Sequence, residues 1–312
     1  MVQIAMSQEI YLANYATPRF LHVRDELNAS ARRHGVENIF SFEERDLHET
    51  EFYLKNRNIL DEICGAGLFA WKPFFILQAL GKISEGDVLF YCDSGSLFLE
   101  SPAPLIQLAN EEEKGLVVFD TRPLSNSQFT KRDCFVAMEC DRAEYWDAPQ
   151  VIATILVMRK CKWVCEFMEE WLRFCLDRRC VSDDSNTLGF ENFEGYLQHR
   201  WDQSILSLLV CKHGLPTFRN PSKWGNYLKM EPFRVPGEHI SSPYGIPPFI
   251  TEYSNSPQRN SHYGTLFEFN RLPNYVGKKP LEPFKNSTSF STHKPYWAGR
   301  IFRKFQTLFG RV

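Results

Sequence analysis

The apolar positions of the chain fall into short runs separated by periodic, turn-bounded segments. Gln8 to Ala13 reads as a strand, and Thr17-Pro18 then supplies an N-cap with Pro at the first helical position. Phe20, Val23, Leu27 and Ala31 recur at helical spacing as far as Gly35. Asn38 to Phe42 predicts a second strand, and Lys72-Pro73 opens a helix that turns Phe74, Leu77, Leu80 and Ile83 toward a core. After the Gly86-Asp87 turn, Val88 to Cys92 is apolar without alternation, the pattern of a strand buried on both faces in a mostly parallel sheet. Gly115 to Phe119 and Ala153 to Met158 predict two more strands. Helices are expected from about Cys161 to Leu176, carrying Val164, Phe167, Trp171 and Cys175, and from Asp202 to His213, stopped by Gly214. This alternation predicts an α/β fold: a single domain whose mostly parallel central sheet is flanked by helices, with a loop-rich C-terminal extension.

The texture changes beyond Gly214, where 12 of the 18 prolines lie. The expected division is a core over 1–214, a Pro-rich loop region over 215–293 that completes the site, and a terminal helix over 294–312. In that helix Trp297, Ile301, Phe305, Leu308 and Phe309 share one face. From Val276 onward eight Lys and Arg stand against one acid, Glu282. Such a basic amphipathic helix either lies on an anionic membrane surface or docks its apolar face on the protein's own core.

Composition narrows the function classes. With 36 Lys and Arg against 38 Asp and Glu, the net charge of −2 gives no field for nucleic acid, which is excluded as the main partner. The 312 residues, 43% of them hydrophobic, support a large core and exclude a small disulfide-stapled module. Nine cysteines without a Cys-x-x-Cys pair argue for reduced, mostly buried thiols and against zinc ribbons or thioredoxin-type sites. A basic n-region leading into an apolar h-region is missing, and no run approaches the roughly 18 apolar residues a spanning helix needs. The expectation is a cytoplasmic protein, peripheral on the inner face of the membrane if its terminal helix binds there.

The most informative element is the strand ending in Asp93, followed by Ser94-Gly95-Ser96. At the carboxyl end of a strand in a parallel sheet, a carboxylate points into the crevice where ligands bind, and it can hold Mg²⁺ or Mn²⁺. Asp and Ser also begin ordinary turns, so the local pattern alone leaves both readings open. Asp202, at the expected start of a helix, is open in the same way, since capping explains it without catalysis.

The order Trp71-Lys72-Pro73, helix, Gly86-Asp87, apolar strand, Asp93-Ser94-Gly95 resembles a group of bacterial GT-A-type glycosyltransferases, nucleotide-sugar enzymes of capsule and lipopolysaccharide assembly. The resemblance continues through Thr130-Lys131-Arg132-Asp133, the stretch Tyr145 to Gln150 and His199-Arg200-Trp201-Asp202-Gln203-Ser204, so it spans roughly residues 8 to 214. It implies a GT-A-like fold and transfer of a hexosyl or related unit from a nucleotide-diphosphate sugar to a glycan or lipid-linked acceptor. A non-catalytic homologue that binds a nucleotide sugar or glycan is the alternative. The resemblance implies Asp93 as ligand to Mn²⁺ or Mg²⁺, with His262, or else His239, as a later ligand. Gly95 departs from the family's Asp-x-Asp pattern and puts metal dependence in question. Lys72, Lys131 and Arg132 are then candidate cations for the leaving diphosphate, each otherwise an ordinary surface charge. Ser94 and Gly95 let the backbone approach the donor, Tyr15 and Thr17 fall where the nucleotide binds, and Trp71 is either core or a sugar platform. Asp202 with Gln203 would serve as general base if the reaction inverts, or would stabilise the donor sugar if it retains configuration. His199 is expected either to orient its neighbours or to be an ordinary loop histidine.

Overall fold

A computed structural model describes residues 8–222, 225, 227–231, 249–253 and 261–269. Its strands, in chain order, are β1 (Ile10–Ala16), β2 (Asn38–Glu43), β3 (Val88–Cys92), β4 (Ser96–Phe98), β5 (Leu116–Ser125), β6 (Pro149–Val151), β7 (Ile155–Arg159), β8 (Thr217–Phe218), β9 (Tyr227–Glu231), β10 (Phe249–Tyr253) and β11 (Phe267–Phe269). Seven of them form the central sheet in the order β2-β1-β3-β7-β5-β6, with β8 also on β5. β2, β3 and β8 pair in parallel with their neighbours β1, β1 and β5, whereas β7 lies antiparallel to both β3 and β5. β6 is antiparallel to β5. Strand direction is therefore shared by five strands and reversed in β6 and β7, so the sheet is mostly parallel, as expected.

Period-two alternation distributes each central strand between two cores. Leu89, Tyr91, Val118, Leu156 and Met158 face one layer, with the helices Trp71–Leu80, Lys162–Cys175 and Trp201–Lys212 over them. Val88, Phe90, Cys92, Val117, Phe119, Ile155 and Val157 face the other, packed under the helices Leu21–Arg33 and Ala103–Glu111. All five residues of β3 are buried, which explains its unbroken apolar run.

Several local expectations shift. The helix after Trp71 buries Phe75, Ile76, Ala79 and Leu80, while Phe74 and Leu77 are only half-buried, because the element is covered both by β1 and β3 and by the Lys162–Cys175 helix. Thr17 is extended and its side chain caps nothing; a single 3₁₀ turn, Pro18–Phe20, leads into the first helix. Beyond residue 214 the chain still adds strands: β8 joins the central sheet, β9 pairs with β10, and β11 pairs with β4. His239 and the 294–312 segment lie outside the described residues. All nine cysteines are free thiols, five of them buried. Among the described residues no helix is long and apolar enough to cross a membrane.

Candidate functional site

Successive strands β1 and β2 pair on one side, yet the chain next returns to the other side of β1 with β3. The point between β1 and β3 is therefore a topological switch, where an open α/β sheet leaves a crevice outside the carboxyl ends of its strands. Asn14, Tyr15 and Ala16 end β1 at this edge, and Asp93 follows β3. The Asp93 amide donates to the Thr154 carbonyl at 2.8 Å, and its own carbonyl accepts from the Ser96 amide at 2.9 Å, so a turn built on Ser94 and Gly95 fixes the carboxylate.

Lys72 reaches Asp93 from the first turn of the Trp71–Leu80 helix. Its side chain is 3% exposed, and its ammonium lies 2.8 Å from Asp202 Oδ2 and 3.2 Å from Asp93 Oδ1. A third donor meets the Ala153 carbonyl at 3.0 Å. The Ala153 contact is a hydrogen bond, whereas the two carboxylates stand at ion-pair distance from the ammonium. Burial opposes the charge on Lys72, but Asp202 and Asp93 outweigh it and raise the pKa above the ordinary lysine value. The buried Tyr91 hydroxyl also donates to Asp93 Oδ1, at 2.9 Å. Among the described residues no hydrogen bond or ion pair engages Asp93 Oδ2, and the Asp93 side chain is 30% exposed.

Asp202 completes the cluster from the opposite side. Arg200, not Asp202, occupies the cap position of the Trp201–Lys212 helix, and Asp202 sits inside the first turn with its side chain 5% exposed. Burial pushes its carboxyl up to about 6 against the pull of Lys72, with the like charge of Asp93 adding to the rise. The indole of Trp171, fully buried, donates to the Asp202 carbonyl at 3.0 Å and ties the Lys162–Cys175 helix to this turn. The cluster thus has one accessible carboxylate, Asp93, with an ion pair buried behind it.

The other expected residues take different places. Gln203 donates to Gln150 Oε1 at 3.0 Å, and Gln150 in turn bonds the Phe129 carbonyl and Thr130 hydroxyl. Lys131 is buried and directs its ammonium to Ser182 Oγ and the Asp184 carbonyl, at 3.4 and 3.3 Å. The Arg132 guanidinium pairs with Asp141 at 2.9 Å and lies 4.1 Å from the Phe193 ring centroid, so an aromatic bed holds it. Neither cation shares a contact with Lys72, Asp93 or Asp202 among the described residues. Buried His199 accepts the Lys131 amide at Nδ1, 3.2 Å away; burial and the Lys131 charge depress it to about 3, so the ring is neutral. Tyr15 and Trp71 pack on each other, ring centroids 4.0 Å apart, and Phe75 lies 5.2 Å from Tyr15. Both rings are at least 95% buried and serve the core. Thr17 is half-buried at the same edge, and His262 is exposed.

Two clefts open beside the switch. One of about 450 Å³ is lined by residues including Ala16, Pro18, Glu43, Glu44, Arg45 and His48. The second, about 360 Å³, is lined by residues including Tyr15, His48, Tyr53, Arg57, Asp61 and Ala66. Arg45, His48 and Arg57 went unmarked in the sequence because they stand among acids in a polar stretch with no motif. The donor set around Asp93 does not fit a divalent cation: one carboxylate oxygen is open, the next-but-one residue is Gly95, and a lysine ammonium stands beside it. Among the described residues no group of three His, Cys, Asp or Glu is arranged to hold a metal.

Between the second cleft and Lys72 the backbone is unusual. Gly65, Ala66, Gly67, Leu68 and Phe69 all have positive φ, from 50° to 104°. Left-handed backbone costs a non-glycine residue roughly 1–2 kcal/mol, so Ala66, Leu68 and Phe69 are held there by their surroundings. Gly67 is required, because a Cβ would stand 2.9 Å from Leu60 Cα. The Trp71 indole closes the turn on the Gly65 carbonyl at 3.0 Å. This turn sets the Phe69 ring centroid 5.4 Å from the Lys72 ammonium and 5.8 Å from the ring of Trp201, itself at φ 46°.

No protein-family model matches the chain, and no curated protein matches it. Solved structures similar to it include mouse xyloside xylosyltransferase 1 in its apo form, with TM-score 0.38 and 11% identity over 67% of this chain and 84% of that one. The galactosyltransferase LgtC, solved with donor and acceptor sugar analogs, gives 0.34 and 13% over 68% and 74% of the two chains. The apo-form glycosyltransferase GlyE of Streptococcus pneumoniae TIGR4 gives 0.34 and 13%, covering 69% of this chain and 46% of its own. No residue role is carried over from them.

Proposed function

We propose that this chain is a glycosyltransferase that moves a hexosyl or related unit from a nucleotide-diphosphate sugar to a hydroxyl of a surface glycan or its lipid-linked precursor. The observation that carries this reading is Asp93, accessible at the carboxyl end of the central strand beside the switch crevice, with Lys72 and Asp202 buried behind it. The donor nucleotide occupies the crevice at the ends of β1 and β2, and the acceptor hydroxyl approaches Asp93. As the acceptor oxygen bonds to the anomeric carbon, the bond from that carbon to the diphosphate breaks, and the hydroxyl proton passes to Asp93 Oδ2. Lys72 and Tyr91 hold the other oxygen and fix the direction of the free one. Asp202 acts through Lys72, so the base role that its motif implies moves to Asp93. Charge on the departing diphosphate is met by Arg45 and Arg57, which line the clefts and exchange their contacts with Glu43 and Asp61 for the phosphates, with the His48 ring beside them. No step here runs through Mn²⁺ or Mg²⁺. The basic 294–312 segment, outside the described residues, would keep the enzyme on an anionic membrane surface next to a lipid-linked acceptor.

The test is slow hydrolysis of a panel of nucleotide sugars without acceptor, then transfer with acceptor, each in Mn²⁺ and in chelator. Wild type should hydrolyse at least one donor, equally well in chelator. Asp93→Asn, an isosteric change at an accessible position, should lose roughly 10²- to 10⁴-fold in transfer rate while the protein stays folded. Wild-type turnover by that variant refutes the assignment, and donor binding without turnover by the native chain would make it a nucleotide-sugar-binding protein.

A further inference from the structure

Phe69 and Trp201 are the half-buried aromatic rings beside the charged cluster, and each comes from a residue with positive φ. Their centroids are 5.8 Å apart with planes at 47°, so the two rings form an angled pair and not a flat stack. Phe69 stands 5.4 Å from the same Lys72 ammonium that holds Asp93, and Trp201 immediately precedes Asp202. The Trp201 indole Nε1 is buried without a hydrogen-bond partner among the described residues. Buried donors are nearly always satisfied, and this one, unlike the unpartnered buried oxygens of Asn14, Ser96 and Asn126, belongs to a half-buried ring beside a candidate reaction centre, where a ligand oxygen can supply the partner. Phe69 also leans on the buried Trp71 ring, centroids 6.2 Å apart, and Trp71 packs in turn with Tyr15 and Phe75 in the core. The left-handed turn at 65–69 and the left-handed Trp201 both set rings by backbone conformations that L residues adopt only under constraint. The two converge on one place.

We infer that Phe69 and Trp201 form the platform for the acceptor's pyranose ring. The C–H face of the sugar packs on Phe69, and a ring hydroxyl accepts from the Trp201 indole. A sugar lying there presents a neighbouring hydroxyl to Asp93. The inference rests on the glycosyl-transfer reading for the word acceptor, but the binding itself needs no turnover.

The experiment measures binding of methyl α- and β-glycosides of glucose, galactose and mannose by saturation-transfer NMR and by titration. It uses the full chain with Phe69→Leu and Trp201→Phe variants. Leu keeps bulk without a π face, and Phe keeps a ring without the indole N–H. Wild type should bind at least one glycoside, with saturation concentrated on the protons of one sugar face. Both variants should bind it roughly 2- to 10-fold more weakly, the range expected for one aromatic contact or one hydrogen bond. If Phe69→Leu fails to fold, Trp201→Phe alone decides. Absence of glycoside binding in a wild type that hydrolyses donor, or unchanged affinity in the folded variants, overturns the platform. Glycoside binding that depends on these rings in a chain inert toward every donor keeps the platform and overturns the transferase reading.

Discussion

Replacing Lys72 with Met tests the buried ion-pair cluster most directly. Met matches the aliphatic stem but leaves Asp202, 5% exposed, without the ammonium 2.8 Å away, and removes the donor to Asp93 and to the Ala153 carbonyl. Taking one partner from a buried ion pair costs about 3–5 kcal/mol, chiefly because the remaining charge stays desolvated. For a chain of this size each kcal/mol moves the melting temperature by roughly 2–4 °C, so the expected loss is roughly 6–20 °C. The pH dependence has a definite sign. Asp202 already titrates near 6 in the folded protein, above its ordinary value, and without Lys72 it rises further. A carboxyl raised by folding favours the folded state at low pH, and that contribution disappears as pH rises through the folded value. The Met variant should therefore be least stable at pH 8 and regain stability toward pH 5, as Asp202 takes up a proton. Adding Asp202→Asn should rescue much of the loss at pH 8, because it removes the stranded charge. Calorimetry at three pH values on the single and double variants measures all of this. A Met variant that melts within about 2 °C of wild type, or a double variant whose losses simply add, would refute the closed cluster.

Two further outcomes follow from the same geometry and charge distribution. Asp202→Asn should reduce kcat by less than Asp93→Asn does, and should abolish the acid limb of the kcat–pH profile expected near 6; an unchanged limb would detach that titration from Asp202. Truncation after His293 should abolish co-sedimentation with phosphatidylserine vesicles at low salt while sparing donor hydrolysis, and an intact chain that ignores those vesicles would refute surface attachment.

The sheet and its chemistry were legible to different depths. The apolar run from Val88 to Cys92 is enough to find the central strand and to mark Asp93, because a strand buried on both faces has no polar alternation. The reversed direction of β7 is invisible for the same reason, since a doubly buried strand looks alike whichever way it runs. Lys72 and Asp202 are both marked by their motifs, but their pairing joins positions far apart in the chain, and local patterns carry no such information. The expected helix face at Phe74 and Leu77 misses because a helix covered from several sides has no single apolar stripe. Trp201 stands inside a motif and Phe69 in none, yet neither is given a role by the sequence: the backbone conformation that aims them is set by tertiary contact, and only Gly65 and Gly67 hint at it.

The central cluster also bears on how the chain matures. Lys72, Asp93, Ala153 and Asp202 lie in four separate stretches, so the cluster closes only when the greater part of the sheet has assembled. During synthesis from the N-terminus, Lys72 and Asp93 emerge long before the Trp201–Lys212 helix that brings the second carboxylate. Until then the lysine cannot be sealed from water without losing its strongest partner, and the layer above β3 stays open. Contacts of such wide sequence separation form slowly. Competence at this centre is therefore acquired in one late step of folding, and a nascent or truncated chain lacking residue 202 would carry the central strand without a functional charge arrangement around it.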